Sequence, residues 1–222
     1  MNEITNFETY LLLSPNKFSI NVFDNLSFEN LYQNEKFIVN KYNEIDYNLI
    51  NDFLNQNIFK VEKKLNNFIK NINLIIGFDV FFSVRLSVKK KFQGNLIEIK
   101  DLNNLLLDTK KQCQTTLEGN KILHMIIENY KIDEKDFSFF PDNMKCNDLV
   151  IDVNFISLPM DFLNNFEKIL KNYHVSTKHI LNAKYVSEFF NGAEKDIIKM
   201  AKEITDGCNP SEVLLVQKTS QN

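Results

Sequence analysis

The sequence predicts a mixed α/β chain, with short strands leading, long amphipathic helices following, and the two alternating towards the end. Three observations carry this. Phe18, Ile20 and Val22 alternate with Ser19 and Asn21, the period of two that places apolar side chains on one face of a strand. From Asp46 onward Leu49, Phe53, Leu54, Ile58, Val61 and Leu65 recur at threes and fours, the apolar stripe of a helix. From Val80 the alternation returns: Val80, Phe82, Val84, Leu86 and Val88 line one face, Ser83, Arg85, Ser87 and Lys89 the other.

The 222 residues suit one medium domain or two small intertwined ones, and can bury a real core. An apolar content of 44%, with 20 Phe, argues against wholesale disorder. The net charge of -3 offers no electrostatic footprint for nucleic acid. Cys113, Cys146 and Cys208 have no paired spacing and suit a reducing compartment. No basic leader opens the chain, and the apolar run Tyr10–Leu13 is far too short for a signal peptide. No window approaches the roughly 20 apolar residues that span a bilayer. The expectation is a cytoplasmic protein without direct membrane insertion.

Taken in order, Tyr10–Leu13 predicts a short buried strand and Ser14-Pro15-Asn16 a turn. Phe18–Val22 follows as a half-buried strand, Asp24-Asn25 turns the chain, and weaker strands are expected around Phe28–Tyr32 and Phe37–Val39. The helical stripe, capped by Asp46, is read as continuing through Phe68 and Ile69 to Ile72. After the strand from Val80, Lys89-Lys90-Lys91 is read as a solvated strand end rather than an anion site. Gly94 turns the chain into a short strand Leu96–Ile99. Asp101 then caps a helix that turns Leu102, Leu105, Leu106, Cys113 and Leu117 inward and stops at Gly119-Asn120.

Strands Lys121–Tyr130 and Leu149–Ser157 come next, and Pro159 breaks the second. Asp161 caps a helix with Phe162, Leu163, Phe166, Ile169, Leu170 and Tyr173 at helical spacing. A strand His179–Leu181, a helical segment from Tyr185, a helix Ala193–Thr205 with Gly207 past its end, and a strand Val213–Val216 close the chain.

Residues that carry chemistry are sparse. His174 and His179 have no third ligand at a sensible spacing, so no metal site is expected. His124, in an apolar strand, reads as a satisfied core histidine. No Cys stands in a nucleophile signature with His and Asn, and Asp133, Glu134 and Asp136 read as a solvated acidic loop. A phosphate cradle needs glycines so that backbone N–H groups can approach the anion. The chain has five, none in a Gly-rich loop. No catalytic residue and no cofactor-binding residue is therefore expected.

The stretch Leu123–Asp133, LHMIIENYKID, resembles the "LHVIPQEYAID" strand of the bacterial cell-division protein family FtsA, membrane-tethered relatives of actin. His124, Tyr130, Ile132 and Asp133 coincide, while Ile127 stands where the family has Pro. Pro141-Asp142-Asn143-Met144 is similar to the "PVGM" that follows, Phe82–Phe92 to "SVYLALSGKHI", and Val153–Tyr185, including Asn165, runs without gaps along the family's next strand and helix. The resemblance covers about Tyr10 to Tyr185. It implies a reduced actin-like (ribonuclease H-like) subdomain at 1–82 and 159–222, interrupted at 83–158 by a small strand-helix-strand-strand insert module.

The departures matter as much. The family's first phosphate loop resembles "GLDIGTTKV", whereas the corresponding turn here is Leu12–Phe18, without the acidic residue or either glycine, and Pro15 removes a backbone donor. The second loop, "DIGGGT", is expected shortly after Tyr185 and is not found. The second actin-like lobe and the basic membrane-anchoring helix are likewise expected to be missing.

The resemblance therefore implies no enzyme and no cofactor: a non-enzymatic scaffold or adaptor of bacterial division. Its partners would be other division proteins, and partners would recruit it to the division site at the inner membrane. The sheet face bearing Arg85, Ser87 and Lys89 is the expected partner-binding surface. Two alternatives stay open: an actin-like pilus-assembly scaffold, and a small nucleotide-binding enzyme with an unrecognised site.

Overall fold

The computed structural model describes residues 6–39, 44–191 and 196–215. The chain forms two units, residues 1–80 with 161–208, and residues 81–160 with 209–222.

The first unit is built on a five-stranded sheet of β1 (Phe7–Leu13), β2 (Lys17–Asp24), β3 (Asn30–Phe37), β4 (Asn71–Ile76) and β9 (Ser176–Asn182), ordered β3-β2-β1-β4-β9. The first three run antiparallel as a meander, and β4 and β9 lie parallel to β1. Helices α1 (Tyr47–Leu65) and α3 (Met160–Lys171) cover one face, where Phe53 meets Phe18 edge-on and the Tyr173 hydroxyl, just past α3, donates to Asn51 of α1. On the other face, Thr205 of α5 (Ile197–Thr205) bonds the Tyr10 hydroxyl at 2.8 Å. The short α4 (Ala183–Phe189) starts on the side-chain cap of Asn182.

Burial on both faces explains several differences from the sequence-based expectations. Strand β2 is not half-buried, because Ser19 and Asn21 are fully enclosed along with Phe18, Ile20 and Val22. Helix α1 opens on Asp46 as expected, its carboxylate accepting from Asn48 and Leu49 N–H. It stops at Leu65 rather than Ile72, since Asn66 takes a left-handed conformation (φ 53) that ends the ladder. Ile72 belongs to β4, a central strand absent from the sequence reading. The two weak strands expected between residues 28 and 39 are one, β3, and Phe28 sits at positive φ in the turn before it. The expected start of the last helix, Ala193, lies outside the described residues, and α5 is described from its Asp196 cap.

The second unit is a four-stranded antiparallel sheet, ordered β5 (Phe82–Lys91), β8 (Asp148–Pro159), β6 (Asn120–Ile132) and β7 (Lys135–Phe137), with α2 (Ile99–Thr116) on one face. Leu102, Leu105, Leu106 and Cys113 of α2 pack with Met125, Ile127, Ile151, Val153 and Phe155 of the sheet. Each such side chain contributes about 1.5–3 kcal/mol on leaving water.

Three further expectations are corrected here. The N-cap of α2 is Glu98, and Asp101 acts from the third position by accepting the Glu98 N–H at 3.1 Å. The strand expected at Leu96–Ile99 reduces to one bridge, Leu96 with Lys145, because Ile99 already belongs to α2. No strand forms from Val213. The expected stretch reaches Val216, outside the described residues, while residues 213–215 are helical and Val213 and Leu214 pack on the core of this unit. Residues 209–215 thus group with the second unit rather than the first. Among the described residues, no helix is long and apolar enough to cross a membrane.

Candidate functional site

Two places bear on function: the β1–β2 turn, where an actin-like fold would hold phosphate, and the outer face of the β5-β8-β6-β7 sheet.

At the turn, Ser14 N–H donates to Lys17 O at 3.0 Å and Lys17 N–H returns to Ser14 O at 3.4 Å and Ser14 Oγ at 3.1 Å. Pro15 between them has no N–H. Of the four residues of the turn, two spend their donors on each other and one has none. Ser14 Oγ lies 2.8 Å from both Asn16 Oδ1 and Lys17 O, so the hydroxyl is also turned inward on the hairpin. Gly77 N–H closes the back of the turn on Leu13 O at 2.8 Å, and a Cβ at Gly77 would lie 2.9 Å from Ser14 Cβ. The glycine thus serves close packing and not an anion.

Lys17 reaches across to Glu35 on β3, 3.1 Å away. Partial burial works to raise the Glu35 carboxyl, but Lys17 outweighs it and holds the group below its usual range. A cavity of about 700 Å³ near Phe18 and Phe78 carries Glu44 and Asp46, with no Lys or Arg among its described lining.

On the second unit, period-two geometry brings Arg85, Ser87 and Lys89 to one exposed face of β5. Each meets a neighbour from an inner strand. Arg85 Nε donates to Glu128 at 3.1 Å, the Ser87 hydroxyl donates to Asp152, and Lys89 lies 2.9 Å from Asp148. Ser83 extends the row by donating to Asn154 at 2.7 Å. Lys90 points the other way, to Asp101 at 2.8 Å, and this lysine chiefly holds the Asp101 carboxyl below its usual range. Exposed pairs of this kind are worth about 0–1 kcal/mol each, so they set the pattern of the face more than its stability.

Sequence reasoning missed the acidic half of this face, and also the buried pair His124–Glu212. Glu212 Oε2 sits 3.0 Å from His124 Nδ1, while Oε1 accepts from Met125 N–H at 3.2 Å and Leu214 N–H at 3.0 Å. With a bridge from Ile126 to Glu212, and Ile127 N–H donating to Ser211 O, this carboxylate fastens residues 211–214 along the open edge of β6. His124 is the satisfied core histidine its apolar strand implied.

The other two histidines are apart: His179 is buried on β9 against Asn73 at 3.0 Å, and His174 sits at positive φ after α3. Among the described residues, no three His, Cys, Asp or Glu side chains are grouped to hold a metal. Burial raises the thiols of Cys113, Cys146 and Cys208 above their ordinary value, away from the reactive thiolate.

No protein-family model matches the chain, and neither does any curated protein. Solved structures with a similar fold include a PilM-PilN type IV pilus biogenesis complex (4% identity, TM-score 0.47, covering 83% of this chain and 49% of that one). Another is the cytoplasmic domain of EpsL, an inner-membrane component of the type II secretion system of Vibrio cholerae (7%, TM-score 0.42, 82% and 59%). A third is a Bacteroides thetaiotaomicron protein of actin-like ATPase fold and unknown function (13%, TM-score 0.36, 83% and 55%). The chain spans about half to three fifths of the length of these structures. At such identities the likeness concerns the fold alone.

Proposed function

We propose that the chain is a non-enzymatic scaffold or adaptor that acts through protein–protein contacts on the cytoplasmic side, in an assembly of the pilus or secretion kind rather than in cell division. The observation that carries the non-enzymatic half is the β1–β2 turn. Ser14 and Lys17 pair their N–H groups within the hairpin, Pro15 has none, and Lys17 is committed to Glu35. A phosphate approaching this turn finds no convergent donors.

The setting takes its direction from the pilus and secretion proteins named above and is decided by experiment. A proximity-labelling enzyme fused to the chain in its own cell should mark components of a pilus or secretion machine. Labelling concentrated on division proteins would return the chain to the division reading. In either setting, the β5 face with Arg85, Ser87 and Lys89 is the surface we assign to partner contact. Replacing Arg85 and Lys89 by Gln should remove the labelled partner while the chain still folds, each lost ion pair costing about 0–1 kcal/mol.

A further inference from the structure

Strand β5 ends its sheet. It pairs with β8 along all ten residues, Phe82–Lys91, and among the described residues no strand lies on its other side. In an antiparallel ladder about every second residue turns both its N–H and its C=O away from the partner strand, so roughly five residues of β5 present unused pairing groups. Among the described residues, no backbone group of β5 bonds to backbone outside the β5–β8 ladder. Proteins ordinarily blunt an edge of this length with a proline, a bulge, a covering element or charged side chains, lysine above all. Strand β5 relies on its cations Arg85, Lys89, Lys90 and Lys91, which repel a cationic strand and leave an acidic one admissible. Here the register with β8 runs unbroken, and the sequence FSVRLSVKKK has no proline. Its inner-facing Leu86 and Val88 are only partly buried against the core that Val153 and Phe155 complete one strand further in.

The side chains define what that strand must be. The outer face of β5 reads Ser83, Arg85, Ser87, Lys89, Lys91, hydroxyls and cations with no carboxylate anywhere in the strand. Arg85 is bonded through Nε alone, with 75% of its side chain exposed, so its two terminal nitrogens remain for a second carboxylate. Lys91 is exposed and makes no ion pair among the described residues. A second copy of the chain is a poor occupant: antiparallel self-pairing centred on Ser87 sets Arg85 opposite Lys89 twice, and like charges directly opposite destabilise a pair.

We propose that the free edge of β5 is a docking site for an extended segment of a partner protein, added as a fifth strand by β-augmentation. That segment carries Asp or Glu on one face, at the positions opposite Arg85, Lys89 and Lys91, and apolar residues on the other, over Leu86 and Val88. Ladder bonds supply the affinity and the alternating charges set the register. This deepens the scaffold reading and rests on it.

The test uses the full chain and a fluorescein-labelled ten-residue peptide of alternating Glu and Val, with anisotropy read at 0.15 M salt. Controls are the Lys-and-Val peptide and two N-methylated Glu peptides, each blocked along one edge of its backbone. The Glu peptide should bind at least tenfold more tightly than the Lys peptide. One N-methylated version should lose binding while the other keeps it, and amide exchange should slow across Val84–Lys91. Arg85→Glu with Lys89→Glu should reverse the preference between peptides.

Absent binding, equal affinity for Glu and Lys peptides, or binding indifferent to both N-methylations would overturn the proposal. So would slow exchange of β5 in the unliganded chain accompanied by dimer formation, which would give the edge to a second copy. The scaffold reading fails separately: ATP hydrolysis with intact peptide binding would sink it alone, whereas no nucleotide binding and no peptide binding would sink the edge alone.

Discussion

Glu8 shows how single charges are managed in the first unit. Burial works against its ionised form, but Lys178 at 2.6 Å, the Tyr10 hydroxyl at 3.0 Å and Lys202 at 3.6 Å together outweigh this and hold the carboxyl below its usual range. A carboxyl depressed in the folded state adds stability above its unfolded value, about 4.3, and that share is lost as pH falls through the folded value. The wild type should therefore be more stable to urea than Glu8→Gln at pH 7, with the difference shrinking as pH falls below about 4; a difference that does not change with pH would contradict this. In the second unit the test is His124→Ala, which leaves Glu212 Oε2 buried with one donor fewer. A cost of about 1–3 kcal/mol follows from stranding a buried polar group. A change within about 0.5 kcal/mol, measured by denaturant unfolding, would mean that Glu212 is satisfied without the histidine.

At the scale of elements, the Asp46 cap of α1 and the apolar stripe of α3 behave as the local sequence says. Asp46→Ala should destabilise by about 1 kcal/mol, because two N–H groups at the start of α1 lose their acceptor. Phe166 on α3 is fully buried, and Phe166→Ala should cost about 3–5 kcal/mol, read as a fall in the urea midpoint. These elements were legible because their signals are local: Asp46 before a stripe at threes and fours, Pro159 before α3, and Gly207 (φ 90) after α5. What was not legible depended on burial from both sides. In β4, Ile72, Leu74, Ile75 and Ile76 are all enclosed, so neither period shows, and its first apolar residue falls in step with the stripe of α1. Only the left-handed Asn66 separates the two, and an asparagine in that role looks like any other in the sequence.

At the scale of the whole molecule, half of the candidate face was legible and half was not. Counting by twos puts Arg85, Ser87 and Lys89 together. Their partners Glu128, Asp152 and Asp148 come from strands far along the chain, and the β6–β8 register contains a bulge at Ile127/Asn129 that no local pattern announces. Fastening residues 211–214 to β6 was hidden for the same reason, since His124 and Glu212 meet only in the folded chain. The phosphate turn differs: the missing glycines and Pro15 could be seen in the sequence, and the structure adds how Ser14 and Lys17 spend their donors.

Calorimetric titration with Mg-ATP is the sharpest test of the proposal that this chain works by contact and not by nucleotide chemistry. Lys17 alone, paired to Glu35, is a point charge without a cradle and would give only weak, salt-sensitive attraction. No saturable heat is expected up to about millimolar ligand, an affinity no better than about -4 kcal/mol. Micromolar binding that disappears in Ser14→Ala or Lys17→Ala would contradict it and restore a nucleotide enzyme.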